Sequence, residues 1–455
     1  METKYEIIMN YIKSEIQNGN FKSKLPSIRA LAIKFSCSNS TVIRAYSELE
    51  KNSLIYAMPK SGYFVSNNNA FFSQPMDENI INFSSGEPNH SILPAKDFKD
   101  SIDKSLDKYG SHLFSYGDPE GFLPLKVTLS KLFEKEDIEV VPNDIQFTNG
   151  AQEALAFLSL LEFPNKKTTI LIENPTYNLY IGFLKINDFN VMSLERSFSG
   201  IDLNELENIF KNNDIKFFYT IPRLHNPLGT SYSETQKKAI IDLANKYDVY
   251  ILEDDYLYQL WEKEDKSLKS YDTQGRVIHM KSFSKTLLPG MRLGTLTLPE
   301  SLKNNFMNRK IHHALRCPHL FQGALNEFIE NGQYSSYIVQ IKKYYSQKLR
   351  LLKQSFENNP IEGMSYYIPN NGFFSFVNLP SSISISELYN TLMLNNVEIR
   401  DGKFSYYTSS PTNSIRLSIS NPNDEGIIKG TDILLRQIKE LANIRHNKMD
   451  SMIEL

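Results

Sequence analysis

The pattern of apolar and polar positions splits the chain into a short head, a polar connector and a long body. In the head, apolar residues recur at helical spacing from Tyr5 to Ile16 (Ile8, Tyr11, Ile12, Ile16) and stop at Asn18-Gly19-Asn20. Pro26 and Ser27 open a second short helix, Ser27 to Phe35, with Ile28, Leu31 and Ala32 on one face. Ser38 or Ser40 can cap a third, Thr41 to Lys51, which would bury Val42, Ala45, Tyr46 and Leu49. Leu54-Ile55-Tyr56 and Tyr63-Phe64-Val65 then read as a hairpin around Pro59-Lys60-Ser61-Gly62. Three helices and a hairpin make a winged helix-turn-helix, placed at residues 1–67. Residues 68–82 are asparagine-rich without a clear period and read as a short linker.

From 83 to 455, strand-like runs alternate with amphipathic helices. The runs are Ile145–Thr148, followed by a helix from Ala151 to Leu161, then Thr168–Ile172, Lys216–Ile221, Asp248–Glu253, Val277–Met280 and Gly294–Leu298. Such alternation predicts an α/β body with a mainly parallel sheet covered by helices. Ligands of such sheets bind beyond the carboxyl ends of the strands.

At 455 residues the chain is too long for one core. Its 41% hydrophobic and 22% charged residues are ordinary for a globular protein. There is no apolar run long enough for a membrane span, and Met1-Glu2-Thr3-Lys4 opens no secretory signal. Cys37 and Cys317 read as reduced packing residues, which suits a cytoplasmic location. The eight histidines have no metal-ligand spacing, so no metal is expected. Charge changes the picture more. Residues 1–65 hold nine Lys/Arg against five Glu and no Asp, a balance of +4, so the net −2 leaves the remainder at −6. A basic head on an acidic body suggests a polyanion partner for the head. In a winged helix-turn-helix the third helix enters the major groove of DNA.

Candidate chemistry gathers at the predicted strand ends. Lys285, in Ser282-Phe283-Ser284-Lys285, comes after the strand from Val277, and Arg292 stands seven residues on. A lysine there can form a Schiff base with an aldehyde cofactor; taken alone, the motif favours a surface lysine beside a turn. Gly150-Ala151-Gln152 opens a helix whose free N–H groups suit a phosphate, although strand–glycine–helix turns are common. Tyr177 offers an aromatic face or simple packing. Asn226 sits in His225-Asn226-Pro227-Leu228-Gly229, a turn that can be purely structural. Asp254 and Asp255 end an apolar strand, where an acid is costly unless paired. A solvated acidic turn suits Asp255 better than Asp254. Arg416 lies in the alternating strand Ile415–Ser420 and reads by itself as exposed.

Two resemblances organise these pieces. The head string, Leu25-Pro26-Ser27-x-Arg29 through Thr41-Val42-x-Arg44-Ala45-Tyr46 to Gly62-x-Phe64-Val65, resembles the GntR-type winged helix. That resemblance puts Arg29, Thr41, Arg44 and the Lys60–Gly62 wing at DNA. Asn39 stands where the family often carries arginine, so the operator sequence and salt dependence would differ. The body, from about Ser85 to Asn443, resembles the fold-type I aminotransferases, which use pyridoxal 5'-phosphate and add a smaller C-terminal α+β lobe. Carried across by motif, Lys285 would hold the cofactor as an internal aldimine and Asp254 would bind its pyridine nitrogen. Asn226 and Tyr256 would reach its phenolic oxygen, and Tyr177 would stack on its ring. Gly150, Ala151, Gln152, Ser282 and Arg292 would hold its phosphate. Tyr116 resembles the tyrosine that reaches a neighbouring subunit's phosphate, which implies a homodimer. Arg416 matches the arginine that grips a substrate carboxylate. Asn371 departs from the family pattern beside the substrate pocket, and His225 occupies a position that varies.

A GntR-like head on an aminotransferase-like body resembles the MocR group of bacterial regulators, whose usual form is a head-to-tail, domain-swapped dimer. The resemblance implies a regulator that senses an amine or amino acid as an external aldimine and changes how paired heads engage a double-stranded operator. Two alternatives stand beside it: an active aminotransferase with a vestigial head, and a regulator sensing pyridoxal phosphate itself.

Overall fold

The computed structural model describes residues 3–453 apart from 18–20, 22–23, 52–53, 59–61, 66–79, 262–264, 314–315 and 409–412. The chain forms two compact units, Met1–Ile80 and Ile81–Leu455.

In the first unit, helices α1 (Lys4–Gln17), α2 (Ile28–Lys34) and α3 (Asn39–Lys51) precede strands β1 (Ile55–Met58) and β2 (Gly62–Val65), which pair antiparallel. The spacing that predicts the helices also builds the core, because Ile8, Ile12, Val42, Ala45, Tyr46 and Leu49 are all fully buried. Ser27 caps α2 by accepting from the Ala30 N–H at 3.2 Å. Of the two candidate caps for α3, Ser38 takes the role, accepting from the Thr41 N–H at 3.3 Å. The buried Tyr46 ring stacks on Tyr63 at 4.3 Å and its hydroxyl donates to the Pro26 carbonyl at 2.5 Å, which ties the third helix to the wing. Gly62 has φ +103°, a conformation that favours glycine where β2 begins.

In the second unit an eight-stranded sheet runs β4-β11-β10-β9-β8-β5-β6-β7. Its strands are β4 (Ile145–Thr148), β5 (Thr169–Asn174), β6 (Val191–Ser197), β7 (Gly200–Ile201), β8 (Ile215–Thr220), β9 (Tyr250–Asp255), β10 (Val277–Ser282) and β11 (Gly294–Thr297). The centre, β10 through β6, is parallel; β4, β11 and β7 pair antiparallel. Strands β5, β8, β9 and β10 are buried along their whole length, as expected of a sheet covered on both faces. A smaller antiparallel sheet of β12 (Ser365–Tyr367), β13 (Phe374–Asn378), β16 (Ser414–Ser418) and β15 (Arg400–Asp401) forms the C-terminal lobe. Residues 68–79 of the predicted linker lie outside the described residues, whereas Ile81–Asn82 at its end form β3, parallel to β14 (Val397–Glu398).

Several strands run past the point where the apolar pattern stops. Strand β9 continues through Asp254 and Asp255, and β5 continues through Glu173 and Asn174. Buried partners keep Glu173, Asn174 and Asp255 in the sheet, whereas Asp254 is bonded through one oxygen only. The solvated turn read for Asp255 is therefore corrected. Asp255 is 2% exposed, bonded to Arg223 and, at 3.0 Å, to His279. Burial opposes its ionisation, yet Arg223 and His279 hold its carboxyl well below the usual range.

Candidate functional site

The carboxyl ends of β9 and β10 and the loops after β5 and β8 converge on one cavity of about 240 Å³. Ala151, Tyr177, Asn226, Asp254, Tyr256, Ser282, Lys285 and Arg416 all line it, so the topology brings together residues spread over 266 positions, from 151 to 416. An adjoining cavity of about 260 Å³ shares Ala151, Tyr177, Ser282 and Lys285 and adds Gln152 and Arg292.

Lys285 is half-buried in the loop after β10. Its Nζ donates to the Gly86 carbonyl at 3.1 Å. Burial, with Arg416 and Arg292 beside it, lowers its pKa against an opposing contribution from Glu87. A lowered ammonium pKa makes the neutral, nucleophilic amine more accessible. Sequence reasoning did not find Gly86, whose carbonyl lies 199 residues away.

Asp254 is 3% exposed. Its Oδ2 accepts from the Tyr219 hydroxyl at 2.8 Å, and its Oδ1 is buried without a partner. Burial pushes the carboxyl up to about 7, against the Tyr219 hydrogen bond. Because this folded value lies above the ordinary 3.8, the folded chain holds more protons than the unfolded one between those values, and stability falls as pH rises through that window. For the cofactor-free chain, the stability gained by Asp254→Asn is expected to grow by about 2–3 kcal/mol between about pH 5 and about pH 8. Urea midpoints at the two pH values measure this; a pH-independent difference would show that Asp254 ionises freely.

Asn226 comes after His225 in a turn closed by a cis Asn226–Pro227 bond, and buried charge fixes that turn. Glu173 accepts from Arg196 at 2.5 Å, Thr220 at 2.6 Å, the Ile221 N–H at 3.0 Å, His225 Nε2 at 3.1 Å and Tyr232. Burial works against the Glu173 charge, but Arg196 and His225 keep its carboxyl far below the usual range. His225 Nδ1 accepts from the Leu228 N–H at 3.3 Å, which leaves the proton on Nε2, facing Glu173. Burial and Arg196 bring the His225 pKa down to about 4, so the ring is neutral at ordinary pH. His225 thus braces the turn that presents Asn226.

Asn226 Oδ1 accepts from Arg416 Nη1 at 3.1 Å, and Arg416 Nη2 donates to the Ser84 carbonyl at 2.5 Å. Arg416 is 7% exposed rather than an exposed strand residue, its guanidinium lies 4.4 Å over the Phe374 ring, and its Nε is buried without a partner. Burial, then Arg400, brings its pKa down to about 10. The Tyr256 hydroxyl donates to the Leu224 carbonyl at 2.8 Å, so its single proton is committed there. Tyr177 is half-buried, and burial with Asp254 pushes its hydroxyl up to about 12.

Gly150 has φ +86° and starts the helix Ala151–Leu160, which has no side-chain cap. A Cβ at Gly150 would stand 2.9 Å from Arg292 Nη2 and displace that guanidinium, and the positive φ itself favours glycine. Arg292, itself at φ +49°, donates from Nη2 to the Asn149 carbonyl at 3.2 Å. Free helix N–H groups, a guanidinium and the hydroxyls of Ser282 and Ser284 form a donor set for an anion, and the Ser284 Oγ is buried without a partner. The residues therefore fit pyridoxal phosphate at each end: an orphaned carboxylate oxygen for a pyridine nitrogen, a lysine between, and an anion cradle.

Tyr116 lies outside both cavities and is 90% exposed. Asn371 lines neither cavity, while Phe374, three residues on, does. Arg400 also lines the first cavity and was missed, since nothing in its local pattern separates it from an exposed strand residue. In the first unit, Arg29, Asn39 and Arg44 are exposed, and Arg44 lies 4.2 Å over the Tyr5 ring. The Thr41 hydroxyl is engaged with Ser38 at 2.9 Å. Lys60 lies outside the described residues.

Comparison with known proteins respects the same division. Residues 4–65 match the bacterial regulatory proteins of the gntR family, and residues 78–432 match aminotransferase class I and II. The uncharacterised HTH-type transcriptional regulator YcxD of Bacillus subtilis (strain 168) is 34% identical over 443 residues, covering 96% of this chain and 100% of its own length. A second from that organism, YdfD, is 28% identical over 475 residues and 97% of each chain. Among solved structures, a multiple substrate aminotransferase from Thermococcus profundus is similar with a TM-score of 0.73 and 26% identity, over 80% of this chain and 93% of that one.

Proposed function

The chain belongs to the aminotransferase class I and II family, joined to a gntR-family head as in MocR-type regulators, and from that premise we propose that it is a pyridoxal-phosphate-dependent transcription regulator sensing an amine or amino acid. The observation that carries this reading is the coexistence of a complete cofactor cavity with a head whose Arg29 and Arg44 remain exposed. When bound, the cofactor supplies an aldehyde that reacts with amines and a ring that withdraws electrons. Lys285 would hold it, Asp254 Oδ1 would keep its ring nitrogen protonated, and Arg292 with the Ala151 helix end would hold its phosphate. Asn226 and Tyr256 would flank the ring oxygen, and Tyr177 would cover one face. Arg416 then offers a planar fork for a carboxylate on the sensed molecule. The strongly exposed Tyr116 supports a homodimer in which it reaches a partner's site.

For the head, Arg44→Ala is expected to weaken operator binding by about 1–3 kcal/mol if the residue reads a base, while Lys60→Ala lowers mainly the salt slope, by about one contact. Titration of labelled operator across salt concentrations measures both. If both variants bind as wild type does, the head is not the DNA reader. The completeness of the cavity also supports a second reading, an active aminotransferase. Sustained turnover of an amino acid with a 2-oxo acid, combined with DNA binding indifferent to that amino acid, would favour it.

A further inference from the structure

Arg400 is a second arginine in the wall of the cavity, and its charge is unmatched. It stands in β15 directly opposite Arg416 in β16. Like charges directly opposite across an antiparallel pair are destabilising. The acids beside it are engaged elsewhere: Asp401 pairs with Lys403 at 2.9 Å, and Glu398 accepts from Asn82 at 2.8 Å and Ser84 at 2.9 Å. Among the described residues the Arg400 side chain makes no ion pair or hydrogen bond, and rests on the Phe404 ring 4.7 Å beneath its guanidinium. Arg416 is similarly seated on Phe374. Stacking leaves the edge of the Arg400 guanidinium open to a ligand, while Arg416, with one N–H on each of Nη1 and Nη2 engaged, keeps Nε and its remaining N–H groups. Arg400 is half-buried and also lines an outer groove of about 770 Å³, with Tyr389, Lys403 and Phe404, so it stands at the solvent side of the cavity.

The charge inventory narrows the ligand. With the cofactor bound, Lys285 and Asp254 would serve its reactive carbon and ring nitrogen, and Arg292 its phosphate. One ligand carboxylate would occupy the Arg416 fork, which leaves Arg400. We propose that Arg400 forms a second anion subsite, and that the sensed molecule is an amino acid carrying a further carboxylate on its side chain. This rests on the reading of the body as an amine sensor and adds the class of amine. A carboxylate on Arg400 would offset its repulsion with Arg416, and the neighbouring Arg400 charge is one cause of the lowered Arg416 pKa.

The test uses the full-length, cofactor-loaded chain and four probes: L-aspartate, L-glutamate and their side-chain amides, L-asparagine and L-glutamine. Binding is read by the visible absorption of the cofactor and by calorimetry. Wild type is expected to prefer one acid over its amide by about tenfold or more. Arg400→Met should collapse that ratio toward one, and Arg400→Lys should restore part of it. A wild-type ratio near one, or a ratio unchanged in Arg400→Met, would overturn the second subsite while leaving amine sensing intact. Equal weakening of acid and amide by Arg400→Met would mean that both arginines grip a single carboxylate, which also overturns it. If no amine or amino acid, in a broader panel, perturbs the cofactor spectrum, the sensor reading itself fails.

Discussion

Lys285→Ala will give a folded protein that has lost the visible band of covalently attached pyridoxal phosphate. Wild type is expected to be yellow, and borohydride should fix the cofactor irreversibly on Lys285, readable as a mass increase on the peptide that contains it. The effect is all-or-none because, among the described residues, Lys285 contributes the only amine in either cavity. The fold should tolerate the change. Lys285 is half-buried beyond the end of β10, and its Nζ makes one hydrogen bond, to the Gly86 carbonyl at 3.1 Å. Removing it leaves the strand from Val277 to Ser282 untouched, so the stability change should stay within about 1 kcal/mol. Residual phosphate-anchored binding through Arg292 would then appear as weak, reversible affinity that borohydride does not fix on the protein. A colourless wild type that gains no band with added cofactor would contradict the assignment.

Arg416→Ala is expected to weaken any carboxylate-bearing effector by about 3–5 kcal/mol, the usual cost of removing one partner from a buried charge pair. The ring of Phe374 and the bonds to Asn226 and Ser84 hold the guanidinium in one place before the ligand arrives. Such preorganisation is what makes a fork strong. Arg416→Lys should rescue only partly, since an ammonium cannot donate as a planar pair. Comparing each amino acid with the corresponding amine that lacks its carboxylate isolates the contribution of the fork. Equal losses for both would mean that Arg416 acts by positioning Asn226, its neighbour at 3.1 Å, and not on the ligand.

Much of this site was legible in sequence because its residues sit at strand ends, and strands announce themselves by local pattern. The runs before Ala151, Tyr177, Asp254 and Lys285 are strand-like, and each of these four residues lines the cavity. The features that stayed hidden depend on partners far away along the chain. Asp255 reads as a solvated turn until Arg223 and His279, 32 and 24 residues distant, are brought beside it. His225 reads as a variable neighbour of Asn226 until Glu173 and Leu228 fix its tautomer. Arg400 gives no local signal, because its role comes from a cross-strand pairing with Arg416. The ends of β5 and β9 were placed early for the same reason: periodicity marks burial against apolar neighbours and is silent where a strand ends among buried charges.

A sensor of this kind must couple the ligand in the body thermodynamically to DNA at the head. Coupling between two binding sites is reciprocal, so each ligand must change the other's affinity by the same factor. The direct measurement is one sample of cofactor-loaded protein, titrated with effector while cofactor absorbance and operator-DNA anisotropy are recorded together, then repeated at saturating operator. A single effector midpoint is expected in both signals, shifted by operator by the same factor by which effector shifts operator affinity. An absorbance change that saturates while anisotropy and operator affinity stay constant would contradict it.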